Sequence, residues 1–276
     1  MKKHNGSIQL SATDLVGHLY CNHLSTLDLQ VASGLLSKPD RYDPLLEILR
    51  ERGHQHEQAY IDYLAERGFE VTAIEGFDIG EAALASTMQA MRTGVAIITQ
   101  AALRHGHWTG RIDILRRVET PSTLGSWSYE VIDTKLARET KGGTVLQLCL
   151  YADLLAEAQG VAPENIYVVS PWSDYEPQVF RYLDFAAYFR HVKRSMEFAV
   201  ADLEQVDAYP DPKEHCEICR WQNKCDQRRR DDDHLCLVAN ITKNQISELQ
   251  INGIDTSRDL ASMSLPIPFD PQKVKA

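Results

Sequence analysis

The chain has 276 residues, 43% hydrophobic and 25% charged, with 15 glycines and 11 prolines. That is the composition of one or two folded domains and excludes a disordered, fibrous or disulfide-stapled miniprotein. A formal net charge of −10 repels a polyanion, so any hold on nucleic acid has to come from local basic patches.

The first residues, Met1 to Asp14, carry two lysines but no apolar run, unlike a secretory signal, and no stretch approaches about 18 continuous apolar residues. The expectation is a soluble, cytoplasmic protein with no membrane contact. Of six cysteines, Cys216, Cys219 and Cys225 stand at a spacing that reads as metal or cluster ligation in a reducing compartment.

Ser11 with Asp14 three residues on marks a helix start, which Leu15 and Leu19 continue until just before Cys21. Asp43-Pro44 supplies a cap and a first-turn proline. Leu45, Leu49, His56, Tyr60 and Leu64 then keep one face until Gly68, so His56 points with the apolar stripe. Residues 69–74 and 95–99 read as strands around an alanine-rich helix from about Glu81 to Met91. Gly106, between His105 and His107, reads as a hairpin turn leading into a strand over 110–115. Across residues 129–135 the alternation puts Asp133 and Lys135 on one sheet face and Glu130 on the other.

A helix from Gly142 to about Glu157 carries Gln147 and Tyr151 four apart, hence on one face. Residues 166–170 and 178–183 are further strands, and Asp184 caps a helix to about Leu203. This order predicts an α/β domain with a mixed central sheet flanked by helices. The break at Tyr209-Pro210-Asp211-Pro212 divides the chain into a core over 1–210, a cysteine segment over 211–240 and a small helical tail over 241–276. In that tail Ile246, Leu249, Gly253, Ile254 and Leu260 have a helix–turn–helix rhythm similar to a helix-hairpin-helix DNA-backbone module. It has one of the two usual hairpin glycines, and a packing role is the other reading.

Cleaving a phosphodiester needs a divalent cation on hard ligands, an activated water and a positive group near the developing charge. Asp113 on one strand, Asp133 on its neighbour, Lys135 beside it and His56 from the helix supply those types. Singly each is ordinary: a strand aspartate is more often a surface or turn residue, and a histidine on an apolar face more often a core residue. Together they form a constellation.

Gly53-x-x-His56, Gly110-x-x-Asp113, Asp133-x-Lys135 and Gln147-x-x-x-Tyr151 resemble, in order and spacing, the successive motifs of RecB-like nucleases in the PD-(D/E)XK superfamily. The resemblance implies a restriction-endonuclease-like fold. It also implies Mg²⁺ or Mn²⁺ held by His56, Asp113, Asp133 and the Thr134 carbonyl, Lys135 orienting or activating the attacking water, and Gln147 and Tyr151 facing the DNA strand. Gly53 selects His56 over His54, which points about 200° away on a helix. Glu57 is a candidate for the shell around the cation, and Glu130 reads as structural. Arg104, Arg111, Arg138 and Lys141 flank the motifs as either a phosphate path or a solvated face.

Cys216-x₂-Cys219-x₅-Cys225 with the distant Cys21 is similar to the 4Fe-4S nucleases of CRISPR adaptation and of AddB-type recombination enzymes. That resemblance implies one cluster on these four cysteines, stapling the two ends of the fold together, with Cys149 and Cys236 free. The alternative is a local zinc site from the three nearby cysteines and His234 or Cys236. Residues 11–29 and 216–241 narrow the resemblance to the TM-type RecB-like nuclease family, over about residues 8–265. Members of that family commonly continue into a helicase, so a chain that stops soon after Ile267-Pro268 implies a stand-alone or fragmentary form, or a helicase as separate partner. The resulting expectation is a metal-dependent nuclease, more an exonuclease than an endonuclease, acting on single-stranded DNA or duplex ends in repair, recombination or defence. Two other readings stay open: a non-cleaving nucleic-acid-binding module associated with a helicase, and a zinc protein whose carboxylates are structural.

Overall fold

The structure, a computed structural model, describes residues 1–4, 6–40, 43–76, 78–201 and 208–264. It divides into two compact units, one of Met1–Lys38 with Tyr42–Val206 and one of Pro39–Arg41 with Asp207–Ala276.

The first unit opens with two short strands, β1 (Lys2–His4) and β2 (Ser7–Ser11), paired antiparallel. Helix α1 (Ala12–Tyr20) begins where Ser11 and Asp14 close a capping box that satisfies two otherwise orphan amides. Cys21 then starts α2 (Asn22–Ala32), a second helix not expected from the sequence pattern. Asp43 caps α3 (Pro44–Glu66), and Gly68, at φ 86°, follows its end. The remaining elements are β3 (Val71–Ala73), α4 (Glu81–Thr93), β4 (Ile97–His105), β5 (Trp108–Val118), β6 (Ser128–Thr134), α5 (Gly142–Gln159), β7 (Asn165–Val169), β8 (Gln178–Arg181) and α6 (Tyr182–Ala201). Asp184 lies in the first turn of α6 instead of capping it, because the helix starts two residues earlier; the expected end near Leu203 falls outside the described residues.

These strands make one mixed sheet. β5 is its axis, pairing antiparallel with β4 along one edge and, on the other, parallel with β2 at Leu10↔Trp108 and antiparallel with β6 from Val118↔Ser128 to Ile114↔Ile132. β6 runs parallel to β7, which pairs antiparallel with β8, and β3 runs parallel to β4. The larger core includes residues of α1, α4, α5 and α6 and buries, among others, Leu15, Met91, Leu148, Leu155 and Phe189 completely. A smaller one joins Tyr60 and Leu64 of α3 to Ile97, Ile114, Ile132 and Val169. The α/β architecture of a mixed central sheet flanked by helices is thus the one expected from the order of elements.

β4 contains one residue its propensity does not explain. Gln100 takes a left-handed φ of 54° between Thr99↔Ile114 and Ala101↔Ile112, opposite Asp113. A side chain there costs about 1–2 kcal/mol that glycine avoids.

The second unit packs two single-turn 3₁₀ segments (Glu214–Ile218 and Leu235–Leu237), α7 (Gln222–Asp231), α8 (Lys243–Ile251) and α9 (Ser257–Ser262) around buried Trp221, Cys225, Arg229 and Leu235. Arg229 is buried as a charge yet satisfied, donating to the Pro210 carbonyl and to Asp226. α8 and α9 each start on a capping box, at Thr242 and Thr256. Among the described residues no helix is long and apolar enough to cross a membrane.

The strained position yields a test. Urea unfolding of Gln100→Gly and Gln100→Ala, which both lose the amide, should leave the glycine variant at least as stable, by up to about 1 kcal/mol, reversing the usual strand preference. A more stable alanine variant would contradict the left-handed assignment.

Candidate active site

The β5–β6 ladder stops at Ile114↔Ile132, and the next positions in that register are Asp113 and Asp133. The two carboxyls stand within hydrogen-bonding reach of each other. Asp133 is 0% exposed. Its Oδ1 accepts from Gln147 Nε2 at 3.3 Å. Its Oδ2 lies 2.7 Å from Lys135 Nζ in an ion pair. Burial and the charge of Asp113 push Asp133 well above the usual carboxylate range, and Lys135 offsets only part of this.

Lys135 sits one residue past β6, where its amide donates to the Val169 carbonyl at 2.9 Å. The same carbonyl lies 3.1 Å from His56 Nε2. A carbonyl can only accept, so Nε2 carries a proton, which in the neutral ring leaves the lone pair on Nδ1. His56 is buried and its ring stacks on Tyr175, with centroids 6.2 Å apart, whereas His54 is exposed. Thr134 is the last residue of β6 and pairs with Val169. From α5, Gln147 also donates to the Tyr151 hydroxyl at 3.3 Å. Tyr151 is buried, and its phenol is raised by that burial and by Asp113 and Asp133. A Cβ on Gly110 would come within 3.0 Å of the Tyr151 ring and 2.9 Å of Leu154, which gives the glycine of that motif a steric reason; Gly53 borders open space.

Sequence reasoning missed part of this site. Gln100 donates to Glu57 at 2.6 Å and accepts from Arg111 Nε at 3.4 Å, using both ends of its amide. Glu57 is pushed up by burial and by Asp113, so its carboxyl belongs to the same neighbourhood as the aspartates. No local signal marks Gln100, because its importance comes from the strand register. Tyr175 arrives from a turn after β7 whose dipeptides announce only a loop.

The flanking basic residues divide. Arg104 pairs with Glu81 at 2.6 Å, and Arg111 donates to the carbonyls of Ile74 and Gly76 at 2.7 and 2.6 Å. Arg104 is thus in a surface ion pair, and Arg111 holds two carbonyls while its Nη1 is buried without a hydrogen-bond partner. Glu130 accepts from the Asn165 amide and the Tyr167 hydroxyl, as its place on the opposite face implies.

A buried carboxylate set against a second carboxylate supplies hard oxygen donors of the kind that suit Mg²⁺ or Mn²⁺. No three His, Cys, Asp or Glu side chains come together as a metal-holding group among the described residues, so the two aspartates supply the donor chemistry without a full ligand set. The four cysteines expected to hold a cluster are Cys21, ahead of α2 in the first unit, and Cys216, Cys219 and Cys225 in the second. Their thiols suit iron or zinc, yet they too fall under the absence of a three-ligand group. Cys149 is a core thiol pushed up to about 12 by burial, and burial also raises Cys236.

Residues 22–226 match the family model described as the PD-(D/E)XK nuclease superfamily. No curated protein matches the chain. One similar solved structure is titled "Crystal structure of SSO0001". It shares 16% identity over 82% of this chain and 87% of its own, at a TM-score of 0.33 that carries no argument.

The burial of Asp133 against Asp113 has a measurable cost. In EDTA, Asp133→Asn should unfold at higher urea than the native protein, by about 1 kcal/mol, because it removes the repulsion while Lys135, about one-third exposed, remains solvated and beside Asp113. A loss of stability of that size would show that the Lys135 pair outweighs the carboxylate repulsion.

Proposed function

The chain belongs to the PD-(D/E)XK nuclease superfamily, and we propose that it is a divalent-metal-dependent nuclease that hydrolyses DNA phosphodiesters at the mouth between β5 and β6. The observation that carries this reading is the fully buried Asp133, facing Asp113 and 2.7 Å from Lys135. Asp113 and Asp133 would hold Mg²⁺ or Mn²⁺ with the Thr134 carbonyl; His56, which makes no three-side-chain metal group with them as the residues stand, would join through Nδ1 only by moving toward them. A histidine whose other ring nitrogen donates to a backbone carbonyl, as His56 does to Val169, has the usual arrangement of a metal ligand. When bound, the cation supplies the positive charge that polarises the phosphodiester and acidifies the attacking water.

Lys135 places its ammonium beside Asp133, where it orients that water and balances charge developing on the phosphate. Gln147 holds Asp133 in position through Oδ1 and links it to Tyr151, which ties the substrate-facing side of α5 to the carboxylates.

Within the superfamily we place the chain with RecB-like nucleases of TM type, acting on single-stranded DNA or duplex ends, by exonucleolytic more than endonucleolytic cleavage, in repair, recombination or defence and with a helicase as partner. The support is the order and spacing of the four motifs. The proposal of a 4Fe-4S cluster on Cys21, Cys216, Cys219 and Cys225 rests on their spacing and resemblance, and no catalytic step runs through it. Protein purified without oxygen should absorb broadly near 400 nm and lose the band in Cys21→Ala. Colourless protein with zinc unaffected by that substitution would assign the three nearby cysteines to a local zinc site.

The nuclease reading is tested with end-labelled single-stranded DNA. Cleavage should require Mg²⁺ or Mn²⁺ and fall by about a hundredfold or more in Asp133→Ala and in Lys135→Ala, with circular dichroism unchanged. Full cleavage by folded Asp133→Ala would overturn the assignment.

A further inference from the structure

Trp172 is 63% exposed, an unusual place for the largest aromatic side chain. It stands in a turn whose own bonds fix it. The Ser173 amide and hydroxyl both donate to the Ser170 carbonyl, at 3.3 and 3.0 Å, and the Glu176 amide donates to the Ser173 carbonyl at 2.8 Å. Asp174 and Tyr175 take left-handed φ values of 48° and 65°. From this turn Tyr175 packs against His56, Tyr60 and Tyr63, with ring centroids 6.2, 5.8 and 4.7 Å away. Trp172 stays in solvent and reaches the segment that follows the active strand. Its indole Nε1 donates to the Leu136 carbonyl at 3.4 Å, one residue beyond Lys135, and the Arg138 guanidinium lies 5.2 Å from its ring centroid.

We infer that Trp172, with Arg138 beside it, is a stacking platform for an unpaired nucleobase of the DNA strand whose phosphodiester is presented to Asp133 and Lys135. The inference rests on the nuclease reading above and adds how the substrate strand is gripped. An indole face held against a planar cation is the pairing that binds single strands without regard to sequence, since every base has a π-face. Net charge adds to this: the chain carries −10 overall, so contacts to the bases supplement the hold that its cations have on phosphates. The rigid turn adds preorganisation, because the indole is already placed before a strand arrives.

The test uses the full chain in Ca²⁺ buffer with a fluorescein-labelled oligothymidylate and an abasic oligomer of equal length. The native protein should bind the oligothymidylate about fivefold to a hundredfold more tightly than the abasic strand, with quenching of tryptophan emission. Trp172→Ala should erase the preference while leaving abasic binding unchanged. Trp172→Phe should keep part of the preference and lose the quenching. A merely structural indole would change urea stability without changing the ratio of the two affinities. An unchanged ratio in Trp172→Ala, equal affinities in the native protein, or binding to neither strand would each overturn the platform. The nuclease reading fails separately: it falls if the native protein cleaves nothing with Mg²⁺ or Mn²⁺, whatever the binding ratio.

Discussion

Two carboxylates, Asp113 and Asp133, meet where the β5–β6 ladder ends, one of them wholly inside the protein. Burial disfavours charge on Asp133, and Asp113 disfavours it further, so the pair is unfavourable in isolation. The surrounding architecture holds it there regardless. The strand register brings the two together, Gln147 donates to one oxygen of Asp133, and Lys135 pairs with the other. Strain of this kind, kept in place by a rigid sheet, is what a cation site requires before the cation binds.

The supports are arranged around one carbonyl. Val169 accepts both the amide of Lys135 and the Nε2 proton of His56, so the lysine backbone and the histidine ring are fixed relative to one atom of β7. Behind the aspartates Gln100, in a left-handed conformation inside β4, links Glu57 to Arg111, and Arg111 in turn closes onto the Ile74 and Gly76 carbonyls. A net charge of −10 makes the chain as a whole repel a polyanion, which is a physical reason to look to aromatic faces for substrate contact.

Much of the frame was legible because its signals are local. Ser11 with Asp14, Asp43-Pro44 and the turn at Gly106 each act within a few residues, and the structure has a helix start, a helix start and a hairpin there. Period-two alternation likewise separated Asp133 from Glu130, which the structure ties to Asn165 and Tyr167. The features that were not legible depend on partners distant in sequence. β1 has no apolar alternation and exists through pairing with β2. Gln100 falls just past the strand expected over 95–99, and only the β4–β5 register sets it opposite Asp113. Trp172 and Tyr175 share one short turn, yet one is exposed and the other packs against three aromatic rings. Nothing in the order Pro171-Trp172-Ser173-Asp174-Tyr175 tells which aromatic faces which way.

The central claim is that the Asp113–Asp133 pair is a cation site whose internal repulsion is relieved by binding. Calorimetric titration of Mn²⁺ into the native protein and into Asp133→Asn, without nucleic acid, addresses it directly. The account predicts saturable binding by the native protein, accompanied by a rise in its melting temperature, and neither effect in the variant. Equal Mn²⁺ binding by both proteins would contradict it.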